Sequence, residues 1–502
     1  MLQTLRRTVI AAGVVAFLAM SCGEGGPSKQ SGSGGSDAAG ASGVSAAGAS
    51  GAPAGGGTGG ASGSASGGSA ATTTGGNAGS GGAAIGGGAG GGAAGASGDG
   101  GVSGGGAGGD AGSGGTPIGG IGGVSGMGGA PGGSSGSGGG GRSYGGGGAG
   151  GSGGVPSLYQ KYANHFPIGA AVDGNSYTTH APVLTKHFNS ITAENEMKFD
   201  ALEPTEGNFT YTAADRIVSF AQTNNMRVRG HALVWHRQTP AWVFSNGSGG
   251  TASRDQVLSR MRTHITNVMR HFQGKVYAWD VVNEAMMNEG QYRTGTETAE
   301  DQRSSWYAIV GESYIAEAFR AAAAADPSAK LYYNDYYDHI AAKRDGIYNM
   351  LKGLLDSGVT VHGVGIQAHL SIAPSTDMNH QGYHQTVANI EAAIQKYSSL
   401  GLDVQITEMD VSLYIPGMTY TTDTYYTAAT FTEAVQAQQA ERYRAFFDMF
   451  RAHADVITGV TLWGIADDNT WLSELSSMRT DFPLLFATNH EPKKAFWAVV
   501  DF

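Results

Sequence analysis

The chain has 502 residues, a formal net charge of −11, a single cysteine and 85 glycines. Such acidity argues against a nucleic acid or an anionic membrane surface as the ligand and suits a neutral substrate. One cysteine rules out an intrachain disulfide, so stability must come from a packed core.

Residues 1–21 read as a secretory signal. Arg6 and Arg7 precede a short apolar run from Thr8 to Met20 that is too short to span a bilayer. Cys22 follows Leu18-Ala-Met-Ser21 and looks like the lipid-modified cysteine of a bacterial lipoprotein, although the leucine stands one place early. Export is therefore expected, either to the cell surface or outer membrane through a lipid anchor at Cys22, or as a secreted protein.

Residues 22–154 hold 63 of the glycines, with alanine and serine and almost no aromatic residues. Such a segment cannot bury enough apolar area to offset its ordering entropy, so a disordered tether is expected. At about 5–6 Å × √n, its ends would lie roughly 60–70 Å apart. Charges before residue 155 cancel, four basic against four acidic, which assigns the whole excess of −11 to residues 155–502.

Within those 348 residues, short apolar runs alternate with longer amphipathic segments, the pattern of repeated βα units. The runs are Ile168–Val172, Ser190–Ala193, Arg227–Leu233, Val276–Val282, Lys330–Asn334, Gly363–His369, Asp403–Thr407 and Gly459–Trp463. Helical patterns fall at Ala213–Asn224, Ser253–Phe272, Ser304–Ala325, Lys343–Asp356, Gln385–Leu400, Phe431–His453 and Lys493–Val500. Eight units of this kind predict an α/β fold, a (β/α)8 TIM barrel preceded by the disordered Gly/Ala/Ser-rich segment. An open doubly wound sheet fits less well, because no glycine fingerprint opens a first helix.

In a barrel the active site lies where the strands end, and Glu194, His231, Glu284, Asn334, His369, Glu408 and Trp463 all fall at or just past such ends. Glu284 and Glu408 stand out. A carboxylate placed after a strand core is costly unless it is paired or put to use, and two of them suit glycoside hydrolysis, which needs an acid and a carboxylate around the scissile bond. Strand alternation puts Glu408 with Asp410, and Gln367 with His369, so His369 could orient Glu408; a histidine bonded to backbone is the plainer alternative. Asn283 beside Glu284 suits a sugar hydroxyl. Thr192-Ala-Glu-Asn-Glu-Met-Lys198 could be a solvated loop, but its place after the second strand favours ligand binding.

No metal is expected. His231 and His236 lack the His-Glu-x-x-His pattern of a zinc site, and Asp467-Asp-Asn469 lacks the spacing of a calcium loop. Trp463 and Trp471 bracket the loop after the eighth strand and could wall a sugar site, whereas Trp279 and Trp306 read as core.

Taken with Arg229-Gly-His-Ala-Leu-Val-Trp-His236, Trp279-Asp-Val-Val-Asn-Glu-Ala285, Tyr333-Asn-Asp-Tyr336, Gly365-Ile-Gln-Ala-His-Leu370, Ile406-Thr-Glu-Met-Asp410 and Thr461-Leu-Trp-Gly464, the domain resembles glycoside hydrolase family 10, the endo-β-1,4-xylanases. The resemblance implies that Glu284 is the acid/base, Glu408 the nucleophile, and His369 and Asp410 its support. It further implies that Glu194, Asn195, Lys198, His231, Trp235, Gln238, Asn283 and Gln367 grip sugars and that Trp463 and Trp471 form an aromatic wall. Retaining chemistry with carboxyls about 5–5.5 Å apart would follow, acting on xylan or a related β-1,4-linked polysaccharide, without a cofactor and as a monomer. An endo-β-1,4-glucanase on the same barrel and a non-catalytic carbohydrate-binding protein are the alternatives. Tyr337, where the family often has asparagine, and the Tyr/Thr-rich loop from Tyr414 to Thr430 are departures.

Overall fold

A computed structural model describes residues 154–474 and 479–502. The expected signal at 1–21, the lipid-bearing Cys22 and nearly all of the segment 22–154 lie outside the described residues.

Among the described residues ten strands run in chain order: β1 (Ile168–Val172), β2 (Ser190–Ala193), β3 (Arg227–Gly230), β4 (Val234–Trp235), β5 (Ala278–Asn283), β6 (Lys330–Asp335), β7 (Gly363–Ile366), β8 (His369–Ser371), β9 (Asp403–Ser412) and β10 (Ile457–Leu462). All pairings between them are parallel, in the order β1, β2, β3, β5, β6, β7, β9, β10, and β10 pairs back to β1 to close an eight-stranded barrel. The short β4 and β8 extend the rim against β5 and β9. Every residue of β1, β2 and β5 is buried, as expected for a parallel sheet covered on both faces.

The connecting helices bury one stripe each. In Arg254–His271, a capping box between Ser253 and Gln256 starts the helix, and Val257, Met261, Ile265, Val268 and Met269 are buried at helical spacing. Trp279 and Trp306 are fully buried core residues. No helix among the described residues is long and apolar enough to cross a membrane.

Most ends shift by one or two residues, and four differences are larger. The run Arg227–Leu233 ends at Gly230 and resumes as β4. The run Gly363–His369 divides because Ala368 takes φ 59°, a left-handed conformation that ends strand alternation. The run from Asp403 extends to Ser412. The expected helix Ser304–Ala325 is two helices, Ser305–Val310 and Ser313–Ala325, because Gly311 caps the first at φ 76°.

The loop from Tyr414 to Thr430 has a small core of its own. Ile372, Leu413, Tyr414 and Phe482 form an apolar cluster separate from the barrel core, with Tyr420, Tyr425, Tyr426 and Phe431 packed on it. The Tyr414 hydroxyl donates to the Thr480 carbonyl at 2.9 Å and accepts the Tyr426 N–H at 2.9 Å.

Candidate active site

Beneath the rim the barrel interior is charged. Arg229 from β3 makes a two-pronged, fully buried pair with Asp280 from β5 and donates from Nε to Gln405 of β9 at 3.0 Å. Asp280 Oδ2, which accepts from Arg229 Nη1, also meets His231 Nδ1 at 2.8 Å. Buried charge is tolerated here because each partner is hydrogen-bonded. His231 is thereby held beside Trp463, their ring centroids 5.4 Å apart and edge to face.

Glu284 follows β5 directly, and its φ of 57° turns it out of the strand. Its carboxylate accepts Trp235 Nε1–H at 2.9 Å and Gln367 Nε2–H at 3.0 Å. Its N–H donates to the Asn334 carbonyl at 2.9 Å, and its own carbonyl accepts from Arg293 Nε at 3.0 Å. The residue is held at both backbone and side chain.

Glu408 lies within β9. One oxygen accepts Asn334 Nδ2–H at 2.8 Å and the other faces His369 Nε2 at 3.2 Å. His369 Nδ1 meets Asp410 Oδ2 at 2.9 Å, and the same oxygen accepts Trp471 Nε1–H at 2.8 Å. Burial alone would push the Glu408 carboxyl up, but the His369 hydrogen bond, the Coulomb attraction of His231 and His369, and the Asn334 amide bring it down to about 2. Burial would likewise lower His369, and Asp410 followed by Glu408 raise it to about 10. At neutral pH an imidazolium is therefore clamped between two carboxylates.

A second cluster gathers the residues after β2 and β4. Lys198 Nζ donates to Asn195 Oδ1 at 3.1 Å and Gln238 Oε1 at 2.9 Å, and lies 4.9 Å from the Trp235 ring centroid. Burial lowers the Lys198 ammonium against the attraction of Glu194 and Glu408. Glu194 is fixed by its N–H to the Val172 carbonyl at 2.8 Å. Trp235 joins this cluster to Glu284.

The sugar-gripping residues read from the sequence thus divide. Glu194, Asn195, Lys198 and Gln238 form one polar group, whereas Gln367 and Trp235 direct their N–H groups at Glu284, and Asn283 Oδ1 accepts from Asn334 at 2.9 Å. The shared face expected for Gln367 and His369 is not what sets their partners: with Ala368 left-handed between them, Gln367 reaches Glu284 and His369 reaches Glu408. Trp463 and Trp471 flank His369, with ring centroids 6.4 Å and 4.9 Å away.

Sequence reasoning put Asn334 at the catalytic end of a strand and Tyr333 in a quoted motif but gave neither a role, and it did not single out Arg293. Asn334 sits at a strand end inside a quoted motif, which was the available signal; its contacts depend on the neighbouring strands. Gly365 makes room for it, since a Cβ there would stand 2.2 Å from Asn334 Oδ1. Tyr333 accepts the Ala285 N–H at 3.0 Å and donates to Asp335, which is paired with the fully buried Lys343 at 2.8 Å. Tyr337 holds φ 60°, a conformation that asparagine adopts more readily than tyrosine.

A parallel barrel whose rim carries two braced carboxylates, lined by aromatic and amide groups, defines a glycoside hydrolase. Residues 157–502 match the family model described as Glycosyl hydrolase family 10, and the chain belongs to that family. The Endo-1,4-beta-xylanase of Geobacillus stearothermophilus is 44% identical over 349 residues, covering 69% of this chain and 98% of that protein. Endo-1,4-beta-xylanase B of Paenibacillus barcinonensis is 42% identical over 348 residues, covering 69% and 98%. The crystal structure of xylanase XynB from the same organism aligns at a TM-score of 0.63 with 40% identity, covering 69% of this chain and 98% of that one.

Proposed function

We propose that the protein is an endo-1,4-β-xylanase that hydrolyses internal β-1,4-xylosidic bonds of xylan with retention of configuration. Glu284 protonates the glycosidic oxygen while Glu408 attacks the anomeric carbon, giving a covalent glycosyl-enzyme. Water, deprotonated by Glu284, then releases the sugar. The observation that carries this reading is the unequal treatment of the two glutamates. Glu408 faces a cationic ring and an amide that keep it ionised, whereas the groups on the Glu284 carboxylate are neutral N–H donors.

Asn195, Lys198, Gln238 and Glu194 bind the sugars on the non-reducing side of the cut, and Trp463 and Trp471 stack on ring faces. The enzyme acts as a monomer, exported and held at the cell surface through Cys22 or secreted; the reading rests on Arg6, Arg7 and the apolar run before Cys22. Mass measurement of the native N-terminus tests the anchor.

The activity is tested by initial rates on xylan and on a soluble β-1,4-glucan, with the anomer of the first product followed by proton NMR. Faster turnover of xylan with β-product formed first is expected. Preference for glucan would assign the barrel to that polymer instead, and an α-product would exclude the nucleophile.

A further inference from the structure

Away from the two glutamates, the loops after β1 and β10 bring together two histidines and a carboxylate. His180 Nε2 lies 3.1 Å from Asp468 Oδ1, and His490 Nε2 lies 3.1 Å from Asp468 Oδ2. The two imidazoles touch, with centroids 4.4 Å apart, and the three ligand atoms all lie within 4.8 Å of one another. His180 is buried, while Asp468 and His490 remain open to solvent on one side.

His180 is oriented from behind its ring. Thr179 Oγ1 donates to the Asn175 carbonyl at 3.3 Å and stands 2.9 Å from His180 Nδ1, so it can accept Nδ1–H when Nε2 turns its lone pair to a cation shared with Asp468. Four-coordinate zinc-type ions hold nitrogen and oxygen ligands at about 2.0–2.2 Å, so adjacent ligand atoms stand roughly 3.3 Å apart. The 3.1 Å contact from His180 Nε2 to Asp468 Oδ1 already approximates such an edge, and with all three ligand atoms within 4.8 Å a small inward movement would close the others. The Nδ1–H to a hydroxyl oxygen is the outer contact that fixes the tautomer of a metal-bound histidine.

We propose that His180, Asp468 and His490 form a binding site for one divalent transition-metal ion of the zinc class, with water completing its coordination. Two imidazoles and one carboxylate favour zinc, cobalt, nickel or copper over calcium or magnesium. The ligands are 288 and 22 residues apart in sequence, so the ion clips the first barrel loop to the last. Asp468 adjoins Asn469, whose amide donates to Asp173 at 2.9 Å, and both lie on the segment between Trp463 and Trp471. Bound metal therefore steadies the segment that carries the aromatic wall, and it stabilises the fold by mass action.

The full chain, purified without a polyhistidine tag and stripped with chelator, is titrated with zinc chloride by calorimetry. One equivalent should bind, with a rise in Tm on the order of 5 °C at saturating zinc. His490→Asn should weaken binding at least about 30-fold and abolish the Tm response, while xylan turnover without metal stays within about twofold. On the unmutated protein, spin-echo modulation of one equivalent of copper(II) should count two imidazoles. Absence of stoichiometric binding, unchanged affinity in His490→Asn, or a copper signal with fewer than two imidazoles would each overturn the site. A Tm that responds to pH but not to zinc would leave only a protonated histidine pair, and the proposal would fall.

Discussion

Gln367 and Asn334 brace the two glutamates crosswise. The Gln367 carbonyl accepts the Glu408 N–H at 2.9 Å while its amide donates to the Glu284 carboxylate at 3.0 Å. The Asn334 carbonyl accepts the Glu284 N–H at 2.9 Å while its amide donates to the Glu408 carboxylate at 2.8 Å. Each residue thus ties the backbone of one glutamate to the side chain of the other, so the pair is positioned as a unit.

Gln367→Ala keeps the carbonyl that holds Glu408 and loses only the donor to Glu284. We expect kcat on xylan to fall about 10²-fold, in the range seen for general acid catalysis. An aryl xylobioside with a highly acidic phenol needs no protonation to depart, so its turnover should fall much less. Equal losses on both substrates would remove Gln367 from control of the acid.

His369→Gln tests the nucleophile through pH. The Glu408 carboxyl is held down to about 2, so it is ionised at any pH above that value. Removing the ring takes away the leading opposing influence, the carboxyl rises, and the acid limb of kcat/KM should move to higher pH. For stability the sign is opposite. His369 is raised to about 10, so its proton favours the folded state fully below its ordinary value near 6.5 and progressively less up to about 10. The variant should lose that alkaline decline in Tm, and an unchanged pH profile would contradict the assignment.

Asn334→Ala withdraws the donor from Glu408 and strands the Asn283 side-chain amide oxygen and the Thr407 hydroxyl, which donates to Asn334 at 2.7 Å. A loss of about 10²–10³ in kcat and of about 1–3 kcal/mol in stability is expected. Gly365→Ala should reproduce part of the kinetic loss by pushing Asn334 aside. Denaturant melts beside steady-state rates measure both.

Lys343→Met leaves Asp335 buried opposite an uncharged chain, both positions being fully enclosed. Removing one partner of such a pair costs about 3–5 kcal/mol. Urea titration should show it, and a change below about 1 kcal/mol would mean that the Tyr333 hydroxyl and the Tyr336 N–H suffice to hold Asp335.

Much of the barrel was legible because its strands are nearly continuous apolar runs. Ile168–Val172 and Ser190–Ala193 are observed with the bounds expected. What pattern could not show is where backbone turns against it. Ala368 and Glu284 take left-handed conformations although neither is glycine, and these are the turns that aim His369 and the Glu284 carboxylate. Asn334 was visible only as a polar strand end, since its importance comes from lying between β5 and β7. Asp468 was set aside as part of a failed calcium triplet, because its histidine partners are distant in sequence.

The loop from Tyr414 to Thr430 nests on Tyr414 and Phe482 instead of on the barrel core. Its outer turns are closed locally, by Thr421 with Thr424 and by Thr427 with Thr430. A loop seated on its own apolar cluster can change at its tip without unseating the barrel strands, so its length is a variable separate from the fold.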